Sequence, residues 1–182
     1  MSILQHTRTD LPTGTWKLDP VHSSIGFSVK HMLVANFRGG FSTFDVTLDS
    51  EGLRGTVDVS SVDVSEPNLN GHLLAPDFFD AERHPQLAFR STAVRVDGDD
   101  IEFSGDLTIK GVTRAVTIKG TLSGPVTLPF DGSEHVGLEL ETVIDRTAFG
   151  LDWNAPLPSG GFALGNDVTL KAELELVLQP EA

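Results

Sequence analysis

The 182-residue sequence predicts an all-β fold, a single antiparallel β-barrel carrying one short helical segment, and three observations predict it. Apolar and polar residues alternate with period two over most of the chain, turn residues separate the alternating runs, and a single stretch has helical spacing. A chain of this length fits one domain with one core, since barrels and sandwiches of this size do not divide. Residues 1–13 read as a flexible tail and 14–180 as the domain.

In chain order, Ile25, Phe27 and Val29 open the alternation. From 37 to 48 the apolar positions change phase between Phe41 and Phe44, which predicts a bulge or sharp bend near Gly39-Gly40, a corner that a closed barrel needs. Between 66 and 79, Leu69, Leu73 and Leu74 fall at helix spacing before Pro76, with Phe78 and Phe79 following. Ser65 is placed to cap this segment and Pro67 to occupy its first turn, and the segment reads as a flap or plug between strands. Asp97-Gly98-Asp99-Asp100 is a hairpin signal leading into Ile101, Phe103, Leu107 and Ile109, with Gly105 among them. Lys110-Gly111 breaks that run before Val112, Val116 and Ile118, and Asp131-Gly132 precedes Val136, Leu138, Leu140 and Ile144. Residues 124–135 and 151–166 read as long loops. The second holds Trp153, Leu157, Phe162 and Leu164, and apolar side chains on a loop suggest a lid or a mouth. The last strand alternates Val168, Leu170, Ala172, Leu174, Leu176 and Leu178 with Thr169, Lys171, Glu173 and Glu175, so one face is dry and the other wet.

Composition removes several function classes. A formal net charge of −13 repels phosphate backbones and anionic headgroups, which disfavours nucleic-acid and membrane-surface binding. The absence of cysteine excludes disulfides, thiolate nucleophiles and cysteine-held metals. No run of about 18 apolar residues is present, and the first residues have no basic region followed by an apolar one, so no integral membrane segment is expected and the cytoplasm is the default compartment. A transmembrane barrel would face lipid with apolar residues and carry a tyrosine and tryptophan girdle, whereas Lys171, Glu173 and Glu175 line the wet face and tyrosine is absent.

Catalysis finds no support. Asp19-Pro20-Val21-His22-Ser23 contains the residue types of a nucleophilic triad, but His22 and Ser23 are adjacent, and in a strand they point to opposite faces. His22, His31, His72 and His84 show neither HxH nor HxxxH spacing, and Asp77, Asp80 and Glu82 lack the spacing of a calcium loop. No phosphate-cradling glycine loop and no GxSxG elbow occurs. The expectation is a protein with no enzymatic activity, no metal and no catalytic residue.

An eight-stranded closed sheet is just wide enough to be filled by its own side chains or to hold one small guest. Eleven phenylalanines spread over many elements, with no tyrosine, suit a hydrocarbon guest and equally suit a dry core. On composition, ligand carriage and a filled-core interaction module both stay open, with a histidine-held metal as a third alternative.

Several local patterns, in order, resemble the YceI-like family. They are Gly14-Thr15-Trp16 with Asp19 and His22-Ser23, then Ile25, Phe27 and Val29 leading into Lys30-His31. Gly39 or Gly40 before Phe41-Ser42-Thr43-Phe44-Asp45, His72-Leu73, Asp77-Phe78-Phe79-Asp80, and Pro85 before Phe89 continue the series. Gly105-Asp106-Leu107-Thr108-Ile109-Lys110-Gly111-Val112-Thr113 and Asp145-Arg146-Thr147-Ala148-Phe149-Gly150 complete it ahead of the final strand. The resemblance implies an extended, lipocalin-like, eight-stranded barrel whose internal tunnel binds a polyisoprenoid or another long-chain amphiphile, with no cofactor beyond that lipid and with pairing into a homodimer. In that frame Phe27, Val29, Phe41, Phe89, Phe103, Leu107 and Phe149 are expected on the wall, and Leu73, Leu74, Phe78 and Phe79 on the helical plug. His31, His72 and Arg146 are expected at the polar end, and Trp153 and Phe162 on the lid. The family often has an Arg-Asp pair just before its His-Leu, where this chain has Asn70 and Gly71.

Overall fold

The computed structural model describes residues 8–182. Eleven strand segments and one α-helix follow one another along the chain. They are β1 (Trp16–Leu18), β2 (Ser24–His31), β3 (Ala35–Phe41), β4 (Phe44–Asp49), β5 (Gly52–Asp58), β6 (Val62–Asp63), α1 (Pro67–Leu74), β7 (Gln86–Asp97), β8 (Asp100–Ile109), β9 (Val112–Thr127), β10 (Glu134–Asp145) and β11 (Leu164–Leu178). Every pairing is antiparallel.

The sheet closes through its shortest members. Trp16 of β1 pairs with Leu178 of β11 on one side and Leu48 of β4 on the other, so β1, β4, β5, β7, β8, β9, β10 and β11 form a ring of eight. The three remaining segments continue ring strands beyond a break. Asp19 ends β1, and a 3-10 turn, Pro20–His22, sets the chain back beside β11 as β2. The bend at Ser42-Thr43 separates β3 from β4, and the 3-10 turn Val59–Ser61 separates β5 from β6. The barrel is thus eight long strands, three of them broken at mid-height, as the resemblance implies. The phase change between Phe41 and Phe44 marks one break correctly, two residues later than Gly39-Gly40, which lie within β3.

The ring end is filled. Trp16, Leu48, Phe103, Leu122, Leu138 and Leu176 are each at most 1% exposed and pack as one cluster, worth roughly 1.5–3 kcal/mol per large aliphatic or aromatic side chain. The end of the expected tail joins it. Leu11 packs on this cluster, Pro12 accepts a hydrogen bond from the Trp16 indole at 3.3 Å, and the Arg8 guanidinium donates to the Leu122 and Gly124 carbonyls. Residues 1–7 of that tail lie outside the described residues. A second cluster, with Phe41, Leu73, Phe78, Ile144, Phe149 and Leu151, occupies the other end.

Two elements differ from the sequence reading. The helix is shorter than 66–79, because the residue before a proline is pushed out of helical geometry and Pro76 follows Ala75. Its cap is Glu66, whose carboxylate accepts from the Leu69 N–H at 2.6 Å, and not Ser65, which sits at φ 61°. The expected loop 124–135 shrinks to 128–133, since β9 runs on to Thr127 and β10 begins at Glu134. Among the described residues, no helix is long and apolar enough to cross a membrane.

Candidate functional site

Above the filled cluster the barrel is hollow. A cavity of about 430 Å³ lies between β2, β3, β11, α1 and the loop 151–163, and a smaller one of about 130 Å³ lies deeper. Phe41, Leu87 and Leu170 border both and stand between them. The strand breaks explain why space remains here. The β9–β10 ladder ends at Glu141 and Lys119, leaving Val112–Ile118 of β9 unpaired with β10, and the short β6 gives way to α1 instead of continuing the sheet. Gly39 of β3 has no side chain because the Phe27 ring occupies its place, with a ring carbon 2.4 Å from where a Cβ would sit.

The walls are apolar, with Phe27, Val29, Phe37, Val168 and Leu170 from the strands and Leu69 and Leu73 from the helix. The helix and the loop cover the cavity and meet through their rings, His72 edge to face with both neighbours and Phe78 tilted against Trp153. His72 of α1 lies 4.9 Å from the Phe78 ring and 5.0 Å from the Trp153 indole, and Phe78 and Trp153 are 5.4 Å apart. Such aromatic pairs are worth about 0.5–1.5 kcal/mol each beyond area burial. The Lys110 ammonium ties the two covers together, donating to the Pro76 carbonyl at 2.8 Å and the Gly150 carbonyl at 3.2 Å. Asn154 clamps the loop to β11, with its amide donating to the Leu164 carbonyl at 2.7 Å and its oxygen accepting from the Leu164 N–H at 2.9 Å.

One cation stands in this wall. Arg146 follows β10 and is 5% exposed. Its Nε donates to the Gly165 carbonyl at 2.8 Å, and its Nη1 to the carbonyls of Leu151 at 2.5 Å and Trp153 at 3.0 Å. Its Nη2 is buried without an acceptor. Burial pushes the guanidinium below its usual pKa, against the pull of Asp152 and Asp145. Asp145 is not its hydrogen-bonded partner. That carboxylate faces outward and caps the following turn, accepting from the Thr147 N–H at 2.9 Å and its hydroxyl at 2.6 Å.

With this geometry in hand, comparison with known proteins is decisive on kinship. The YceI-like domain matches residues 16–176. The chain belongs to the YceI-like family. This YceI-like chain is 32% identical to UPF0312 proteins of Staphylococcus aureus, covering 86% of its own length and 94% of theirs, and of Staphylococcus epidermidis, at 88% and 95%. Among solved structures, the Campylobacter jejuni YceI protein superposes with a TM-score of 0.70 at 26% identity, covering 90% of this chain and 97% of that one. A polyisoprenoid-binding domain from Saccharophagus degradans superposes with a TM-score of 0.68 over 90% and 98% of the two chains. At 14% identity that likeness concerns the fold alone.

The YceI-like barrel gathers most, not all, of the residues singled out in the sequence. Phe27, Val29, His31, Phe41, Leu73, Phe78, Phe79, Arg146 and Trp153 border the larger cavity together with His72, and Phe89 and Leu107 border the smaller. Four do not border either. Phe103 is fully buried in the ring-end cluster, because it lies four residues from Leu107, about 13 Å away along β8. Phe149 and Leu74 pack against the back of the upper cluster, and Phe162 is 57% exposed on the far side of an isolated bridge to Pro156. The sequence reading missed Phe37 as a wall residue, although it shares a face with Gly39 and Phe41 by simple alternation. Leu87, Leu151 and Ala163 were missed as well, and no local pattern marks them.

The triad-like stretch lies apart from the cavity. The Ser23 hydroxyl donates to the Asp19 carbonyl at 2.7 Å, while His22 Nδ1 meets the Asp19 carboxylate at 2.8 Å, so Ser23 and His22 serve different partners. Among the described residues, Asp19, His22 and Glu175 form the one trio of metal-type side chains, and their atoms already pair with one another and with His135.

Proposed function

We propose that this protein binds one long apolar ligand in the upper cavity, of the polyisoprenoid, isoprenoid quinone or fatty amphiphile type, and sequesters or transports it. The observation that carries this reading is the hollow itself, apolar on nearly all sides, with a single buried cation. Without a guest this apolar lining faces water or empty space, and a bound tail covers it, which a filled interaction module has no need to do. Transfer of a tail from water contributes roughly 0.8 kcal/mol per CH₂, so about ten carbons approach the free energy of a micromolar complex before association losses. The Saccharophagus degradans relative, a polyisoprenoid-binding domain by description, agrees in fold with this reading.

Mass spectrometry of freshly purified protein under native conditions tests it, followed by solvent extraction of what is released. A discrete hydrophobic adduct near one per chain is the expected result. A clean apo mass together with no uptake of isoprenoid quinones or fatty amphiphiles would overturn the proposal.

A further inference from the structure

We infer that the β2–β3 hairpin and the 151–163 loop form a docking tip for a phospholipid bilayer, whose apolar side chains enter the membrane interface and seat the cavity end of the barrel against it. The hairpin turns through Met32, Leu33 and Val34, which are 43%, 59% and 81% exposed. The Met32 N–H donates to the Ala163 carbonyl at 2.7 Å and Leu33 lies against Gly161, so the turn is joined to the loop that carries Trp153 and Phe162. These five side chains are more than half of the nine large apolar ones left exposed among the described residues. His31 and Ala163, at the junction, border the larger cavity.

The turn holds a shape that its residues resist. Met32 and Leu33 have φ of 52° and 64°, the left-handed region that glycine and asparagine occupy with least strain. Folding alone favours Asn-Gly in a tight hairpin turn, so bulky apolar residues kept there point to a role outside folding.

Area and charge select the partner. Taking about 200 Å² for a large side chain fully open, the five expose roughly 500 Å², short of the ~800 Å² that each side of a stable protein interface buries. Binding to a bilayer has no such threshold and grows with each apolar side chain that enters. Acidic residues number 26 of 182, one in seven, yet residues 20–44 and 153–166 contain none. Lys30 and Arg38 are exposed on the outward face of the hairpin, alternating with Val29 and Phe37, which line the cavity. Arg38 stands three residues, about 10 Å, behind Ala35, so a tip entering the interface by about 5–10 Å brings both cations to the level of the lipid phosphates. The net charge of −13, which argues against membrane surfaces for the chain as a whole, is therefore carried elsewhere in the molecule. Salt screens exposed charges beyond about 8 Å at physiological ionic strength. In a two-fold pairing of tips, by contrast, these cations would face their own copies.

The test is partition of the guest-free full-length protein onto large unilamellar vesicles of phosphatidylcholine containing about one-fifth phosphatidylglycerol, read by co-sedimentation at physiological salt. Because the chain has no cysteine, Val34→Cys accepts a single nitrobenzoxadiazole label, and Phe130→Cys, in the exposed β9–β10 turn, is the control. The label at 34 is expected to brighten and shift to the blue on vesicles, and the label at 130 to stay as in buffer. Leu33→Asn combined with Val34→Asn removes the apolar tip while suiting the left-handed turn, and should weaken partition about tenfold or more. Lys30→Gln and Arg38→Gln should each cost about fivefold on these vesicles. No partition of the wild type, equal partition of the double variant, or an equal response of the two labels would overturn the inference. Self-association that the double variant abolishes, without vesicle binding, would also overturn it and assign the tip to a second copy. No guest takes part in these measurements, so their failure leaves the apolar-guest reading standing.

Discussion

The two ends of this barrel are written in the same sequence language and do opposite things. Both are built from antiparallel strands with apolar residues on alternate positions. At the ring end Trp16, Leu48, Phe103 and Leu176 meet across the axis and leave no space, whereas at the other end Phe27, Val29, Phe41 and Leu170 stand back from one another around a hollow. The difference lies in closure. Where β1 zips β11 to β4 the sheet closes and side chains meet in one cluster, and where three strands break and α1 follows β6 the apolar walls border a hollow. Hydrophobic patterning therefore decides which way a side chain points, and the breaks decide whether it arrives at a neighbour.

The comparison can be broken most forcefully at its filled end. Trp16→Ala should cost about 3–5 kcal/mol in denaturant unfolding, much of a normal domain's margin, and leave guest affinity of the folded fraction unchanged. An unaffected midpoint would mean that the ring does not carry the stability. Phe103→Trp is the next test. Enlarging a residue with no free space should cost about 1–3 kcal/mol while sparing uptake, and loss of uptake at full stability would move Phe103 to the cavity wall.

Leu170→Trp applies the same enlargement to the hollow end. Leu170 borders both cavities, so the added ring has room, and the change in stability should stay within about 1 kcal/mol while ligand capture in an equilibrium titration falls at least about tenfold. Equal destabilisation by Phe103→Trp and Leu170→Trp would erase the distinction between the two ends.

The smallest effect belongs to the joint between them, where Asp19 and His22 link β1 to its continuation β2. The hydrogen bond from His22 holds the Asp19 carboxyl below its ordinary 3.8, and the same bond, helped by the charges of Asp19 and Glu175, lifts His22 above 6.5. The Asp19 contribution is complete above pH 3.8 and fades as pH falls through its lowered value. The His22 contribution is complete below pH 6.5 and fades as pH rises through its raised value. The joint is thus firmest between pH 3.8 and 6.5. The melting temperature of wild type relative to His22→Gln should peak in that window, and a flat difference across pH would show the pair to be idle.

Much of this was legible in the sequence, and the limits have a physical shape. The alternation from Val168 to Leu178 marked the last strand with its dry face correct, and the spacing of Leu69 and Leu73 marked the helix. Alternation carries no information about height along the axis, so Phe103 and Leu107, on one face of one strand, were placed together although one is core and the other cavity wall. The order of local patterns brought Arg146 into the site, and the apolar residues of the 151–166 loop brought Trp153. That Arg146 would bond to the carbonyls of Leu151, Trp153 and Gly165, and not to Asp145, depended on the path of the 151–163 loop, which no periodicity encodes.

The cover of the cavity is an eight-residue helix, too short to persist in water by itself, held by the Glu66 cap, by Asn70 accepting from the Val64 N–H at 3.0 Å, and by a few aromatic edges. None of these belongs to the ring of ladders that closes the barrel. Residence time and thermal endurance are therefore separate quantities in this molecule. For the proposed guest, release by opening this cover would cost only local opening free energy, so substitutions that hasten release need not shorten the lifetime of the folded chain.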